Sequence, residues 1–146
     1  MPKPIYVLNG PNLDRLGTRE PEIYGTTTLA KIEAMCRKAG GSHPLRFHQS
    51  NAEHEIIGWI HEAVERGGGI VINAAAYTFT SLAILDALKM FPGPIIELHI
   101  SNIHRREPHY RNSLLSGTAT AVIVGLGAKG YPAAITAMLE LIDHRR

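Results

Sequence analysis

A chain of 146 residues, 45% hydrophobic and 19% charged, has the make-up of one folded domain spanning 1–146, with a real core and no room for a second. The net charge of +2, with basic residues clustered only in "HRREPHYR" and the terminal "HRR", excludes a nucleic-acid track and leaves at most a small-anion site. The single cysteine, Cys36, excludes an internal disulfide, and no leader or span of about 20 apolar residues is evident, so the expectation is a cytoplasmic protein with no membrane contact.

In chain order, "PIYVLN" reads as the first strand. Gly10 to Gly25, "GPNLDRLGTREPEIYG", then reads as one long mobile loop, well beyond the usual connection length, with Arg19 and Tyr24 planted in it. "TLAKIEAMCRKAG" reads as a helix with Thr28 as N-cap, Gly40 or Gly41 as stop, and Cys36 as buried filler. "LRFHQS" is a second strand, alternating Leu45 and Phe47 with polar residues. "EHEIIGWIHEAVERG" carries Ile56, Ile57, Ile60, Ala63 and Val64 at helical spacing. "GIVINA" is a short apolar strand, and "TSLAILDALKMF" a helix opened by Thr80 or Ser81. "PIIELHI" and "TAVIVGLG" are further strands, and "YPAAITAMLELIDHRR" closes as a helix.

The alternation of apolar strands and amphipathic helices predicts an α/β fold with a parallel sheet covered on both faces. Five strands in this length suit a flavodoxin-like three-layer sandwich. In such a sheet, ligands bind beyond the carboxyl ends of the strands. Asn9 with the long loop, "QSNAE", Asn73 and "ELHISN" should therefore crowd one edge.

Two ionisable residues, Glu97 and His99, stand two apart on one strand and so share a face. A carboxylate beside an imidazole can hold one ring nitrogen and leave the other to give or take a proton; the alternative is a structural buried pair. Asn73 at a strand end serves either as turn chemistry or as a ligand contact. The backbone around Ile100 and Ser101 can form an anion-binding nest. A guanidinium beside a phenol favours the ionised ring, which would make a base of Tyr24 next to Arg19. The plainer alternative pairs Arg19 with Glu20 or Glu22 on the surface and packs Tyr24. Other motifs are weak. His54 and His61 lack a third metal ligand, no zinc spacing occurs, "GLGAKG" follows the last strand with no further βαβ unit, and "GPNLDRLG" lacks the Walker ending.

Taken together and in order, "LNGPNL", "LGTREPEIYG", "QSN", "IVINAAAYT", "ELHISNIH" and "GLGAKGY" resemble the signatures of type II 3-dehydroquinate dehydratases across nearly the whole chain. The resemblance implies trimers assembled into a dodecamer, no metal, no cofactor and a small anionic substrate. It implies dehydration of 3-dehydroquinate through an enolate, in a shikimate or quinate pathway. On it, Tyr24 is the base, Arg19 holds the phenolate, Asn12 positions a water, His99 is the acid and Glu97 orients it. Asn73, Ile100, Ser101 and Arg106 contact or adjoin the substrate, and Asp86 reaches toward a neighbouring subunit's site. The Gly10–Gly25 loop is then a lid that carries the base.

Four departures stand out. The family's Y-T-H-T-S is "YTFTS", with Phe79 for a substrate-binding His. Its R-E-E-F-R is "REPHY", with Tyr110 for a second substrate Arg and Arg111 one place later. Ala52 replaces a His after "QSN", and Arg15 puts a charge in the loop. The reacting set is intact, so the expectation is retained elimination chemistry with altered or weakened hydroxyl recognition. The alternatives are dehydration of a related cyclic hydroxy-keto acid, or a non-catalytic small-anion-binding protein.

Overall fold

Short runs rich in Ile, Val and Leu fold into five strands, β1 (Ile5–Asn9), β2 (Leu45–Gln49), β3 (Gly69–Asn73), β4 (Ile95–His99) and β5 (Ala121–Val124), with polar residues interleaved in β2. The computed structural model describes residues 1–144; Arg145 and Arg146, which the sequence reading includes in the closing helix, lie outside the described residues. All strand pairs are parallel, in the order β2-β1-β3-β4-β5. This is the flavodoxin-like arrangement, and its connections diverge between β1 and β3, the place where such sheets open a ligand crevice.

Five helices accompany the sheet among the described residues: α1 (Pro21–Tyr24), α2 (Leu29–Gly40), α3 (Glu53–Arg66), α4 (Leu82–Leu88) and α5 (Gly130–His144). The period-2 alternation of the strands divides the core. Ile5, Val7, Val71, Ile96 and Leu98 pack with Ile32 and Cys36 of α2 and Ile135 and Met138 of α5. Tyr6, Leu8, Ile70, Ile72 and Ile95 pack with Ile56 and Ile60 of α3 and Ile84 and Leu88 of α4. Each such aliphatic side chain contributes roughly 1.5–3 kcal/mol on burial.

Local chemistry sets the helix ends. Thr28 caps α2 by accepting from the Lys31 N–H, and Gly41 ends it with φ of 58°. Ser81, rather than Thr80, caps α4, accepting from the Ile84 N–H. That helix is shorter than its sequence pattern suggests. Met90 and Phe91 donate back to Ala87 and Leu88, three residues earlier, and Pro92 bars a further helical turn.

The largest difference from the sequence reading is Gly10–Gly25. Instead of one irregular loop, it holds a 3-10 turn at Leu13–Arg15 and the single-turn helix α1, opened by Pro21. Leu13 and Leu16 are buried against the α2/α5 side of the core and pin the first half down. Asn12 and Glu20 take left-handed φ of 69° and 40° to make the two corners. At its root, a Cβ on Gly10 would strike the Ala74 carbonyl, so glycine lets the ends of β1 and β3 close up.

Candidate active site

Side-chain parity on the strands decides what reaches the carboxyl edge, and from which face. Glu97 and His99 share the α3/α4 side of β4 with Ile95. They are 1% and 5% exposed, which for ionisable groups demands partners. The Glu97 carboxylate accepts from His99 Nε2 at 2.6 Å and Ser113 at 2.8 Å on Oε2, and from Ser116 at 2.5 Å on Oε1. Burial alone would raise this carboxyl's pKa. The hydrogen bonds from His99, Ser116 and Ser113, with the imidazole's charge, outweigh it and hold Glu97 below the usual carboxylate range. Because Nε2 carries the hydrogen given to Glu97, Nδ1 is the His99 nitrogen left for the cleft.

The opposite wall comes from the Gly10–Gly25 segment and the turn after β4. Tyr24 ends α1. Arg19 lies over its ring face, 4.9 Å from the centroid, and also pairs with Glu20 at 3.8 Å. The phenol oxygen itself receives a hydrogen bond from Arg106 Nη1 at 3.1 Å. Arg106 also reaches Ser101 at 3.4 Å and Glu107 at 3.6 Å, and stacks over Tyr110 at 4.6 Å. Its side chain is 16% exposed against 42% for Arg19. Burial disfavours its charge, but Tyr24 and Glu107 more than compensate, and its pKa is raised.

One cleft gathers Asn12, Arg19, Tyr24, Asn73, His99, Ile100, Ser101 and Arg106, with Phe79 and Tyr110 completing the wall. Phe79 lies nearly parallel to the His99 ring, centroids 6.2 Å apart, and meets Tyr110 edge-on at 5.9 Å. Glu97 stands behind His99. Two named residues lie elsewhere. Asp86 is exposed on α4 and does not line this cleft. Arg111 is exposed and folds back to donate to the Arg106 carbonyl instead of entering the position held by Tyr110.

Several residues important to the arrangement escaped the sequence reading. Ser113 and Ser116 follow β4 with no motif to mark them. Gln49 and Asn51, quoted only as part of "QSN", brace the root of the segment. Gln49 donates to the Gly10 carbonyl, and the Asn12 N–H donates to Asn51 Oδ1 at 2.9 Å. Tyr131 lies buried beneath Asn73, hydrogen-bonded to it at 2.9 Å. Among the described residues, no group of three or more His, Cys, Asp or Glu side chains is placed to hold a metal ion, and no helix is long and apolar enough to cross a membrane.

Residues 3–139 match the family model described as Dehydroquinase class II. The chain is 55% identical over 140 residues to a protein of Agrobacterium fabrum named 3-dehydroquinate dehydratase 2, covering 94% of this chain and 95% of that one. It is 55% identical over 131 residues to a 3-dehydroquinate dehydratase of Streptomyces coelicolor, covering 88% and 83%. Among solved structures, a type II dehydroquinase from Propionibacterium acnes superposes with a TM-score of 0.91 at 44% identity, covering 96% and 98%. A 3-dehydroquinate dehydratase-like protein from Bifidobacterium longum is more distant, with a TM-score of 0.71 at 28% identity over 98% and 99%. With the family matched over nearly its whole length and relatives about half identical to it, this chain belongs to the class II dehydroquinase family.

Proposed function

We propose that the chain removes water from 3-dehydroquinate to give 3-dehydroshikimate, through an enolate, with Tyr24 as base and His99 as acid. The observation that carries this reading is the pairing at the two ends of one cleft: a guanidinium on the Tyr24 oxygen and a buried carboxylate on the far nitrogen of His99. Arg106 on the phenol oxygen and Arg19 over the ring set two positive charges beside the base. The phenolate takes the proton beside the ketone, and the electron pair moves onto the ketone oxygen. A water held by Asn12 donates to that oxygen. His99, held through Nε2–H by Glu97, gives its Nδ1 proton to the departing hydroxyl, which leaves as water, and the double bond forms.

Ile100 and Ser101 hold the substrate carboxylate, and Asn73 a ring oxygen. Movement of the Gly10–Gly25 segment onto the substrate excludes water during the reaction. Asp86, turned away from its own cleft, serves that of a neighbouring copy in a trimer-based dodecamer.

The test is direct. Purified protein is mixed with 3-dehydroquinate and ultraviolet absorbance is followed, since the product is a conjugated enone. Sustained turnover, lost in Tyr24→Phe, supports the reading. Absence of turnover, with 3-dehydroquinate still raising the thermal midpoint, would reduce the site to anion binding. A second reading has its own observation: Phe79 and Tyr110 present aromatic surface beside His99. A less hydroxylated cyclic hydroxy-keto acid would suit that wall, and turnover of such a compound faster than 3-dehydroquinate would favour it.

A further inference from the structure

Asn9 and Asn73 are direct partners across the β1–β3 ladder, at the point where the sheet opens. By strand parity both side chains point to the α2/α5 face. There the first turn of α5 inserts Tyr131, which is fully buried. The Tyr131 hydroxyl is 2.7 Å from Asn9 Oδ1 and 2.9 Å from Asn73 Nδ2. Burial pushes the phenol's pKa well up, so the hydroxyl keeps its hydrogen.

The direction of these bonds is fixed at both ends by backbone groups whose polarity cannot reverse. Asn9 Nδ2 lies 3.0 Å from the His48 carbonyl, which only accepts. Asn9 must therefore turn Oδ1 toward Tyr131, and Tyr131 donates its only hydrogen there. Asn73 Oδ1 lies 3.2 Å from the Ala75 N–H, which only donates. Asn73 must therefore turn Nδ2 toward Tyr131. The two anchors are independent and agree.

We propose that Tyr131 is a positioning residue that locks the Asn73 amide, so that Asn73 offers the cleft its second N–H hydrogen and never its carbonyl. Asn73 forms part of the cleft wall. A flipped amide would set two donors against each other at Ala75 and turn Asn73 Oδ1 toward a Tyr131 oxygen whose only hydrogen is already given to Asn9. This stretch of wall is thus a fixed donor. It suits a substrate oxygen with a free lone pair, a hydroxyl or carbonyl, and rejects a group that has only hydrogens to give, such as an ammonium. The inference rests on the proposed function for the identity of the substrate, but the order of the hydrogen bonds stands apart from it.

Two experiments test it. Neutron diffraction from deuterated wild-type crystals should place a deuterium between Tyr131 and Asn9 Oδ1, and two on Asn73 Nδ2, one of them facing the cleft. A deuterium directed from Tyr131 toward Asn73 overturns the proposal. In kinetics, Tyr131→Phe should raise KM for 3-dehydroquinate roughly tenfold, the weight of one lost hydrogen bond, with kcat and the pH profile little changed. In an Asn73→Ala background the same substitution should leave KM where it is. A KM effect that persists undiminished there, or a lowered thermal midpoint with unchanged KM, shows a purely structural tyrosine and overturns it. Should wild-type protein fail to turn over 3-dehydroquinate, the proposed function falls, while the neutron map still decides the Tyr131 arrangement.

Discussion

The two ends of the cleft are built by opposite means. His99 sits at the end of a central strand, nearly inaccessible, with its partner Glu97 satisfied by three donors. Tyr24 ends a single-turn helix on an outer segment, half-buried, and its partners are two arginines from separate parts of the chain. On the proposed roles, a proton donor whose geometry must not drift gains from a rigid, fully bonded setting. A base that has to meet the substrate after it enters gains from a segment pinned at its root by Leu13 and Leu16 and open at its tip. Perturbing the outer segment's own residues, Tyr24 and Arg19, should therefore cost rate without stability, and perturbing the inner end should cost both.

The largest effect should come from Tyr24→Phe. General bases contribute about 10²–10⁴-fold, and turnover should fall by at least that much. No buried group loses its sole partner, because Arg106 keeps Ser101 and Glu107. The thermal midpoint should stay within about 2 °C, on the scale of a surface change. A retained rate in this variant removes the assigned base.

The arginines sharpen the contrast. Arg19→Met and Arg106→Met should both lower kcat, since each withdraws a charge from beside the same ring. Only Arg106→Met should also lower stability, by about 1–2 kcal/mol, because Arg106 is the less exposed cation and binds Tyr24, Ser101 and the face of Tyr110 together. Denaturant unfolding of the two variants checks this. Equal stability would mean that Arg106 is held no more firmly than Arg19.

At the inner end, Glu97→Gln should cost about 1–3 kcal/mol, since an amide turns a donor toward one of the three donors that now meet a carboxylate. It should also change the response to acid. The folded carboxyl titrates below its ordinary value of 4.5, so the unfolded chain binds the proton first as pH falls. Stability from Glu97 is complete above about pH 4.5 and is lost as the folded group itself is protonated at lower pH. The wild type should show this slope in denaturant midpoints between pH 5 and pH 3, and Glu97→Gln should show less of it.

Legibility of the molecule followed the range of its contacts. Strand parity is local, so Glu97 and His99 could be placed on one face from their spacing alone. Capping is local, so Thr28 and one of Thr80 and Ser81 stood out. The bonds from Ser113 and Ser116 to Glu97 span 16 and 19 residues, and no pattern in "NSLLSG" announces them. Tyr131 and Asn9 meet across 122 residues, joined only by the crossover of α5 onto β1 and β3. Arg19 beside Tyr24 was visible as a neighbour in the chain. Arg106 reaches the phenol oxygen from 82 residues away, and only the folded turn after β4 brings it there.

The smallest predicted effect tests the wall between the two ends. Phe79 covers one side of His99 without a hydrogen bond to offer, and Arg111 is turned away onto the Arg106 carbonyl. A substrate hydroxyl entering this corner exchanges water for an aromatic face. Phe79→His should restore a polar partner and lower KM for 3-dehydroquinate by up to about tenfold, with a smaller effect on kcat, because the Glu97–His99 and Arg106–Tyr24 hydrogen bonds do not involve it. The same variant should weaken binding of a less hydroxylated ring. If Phe79→His instead raises KM for 3-dehydroquinate, the aromatic wall is itself part of the recognition, and the cleft is shaped for a more apolar substrate than the proposed one.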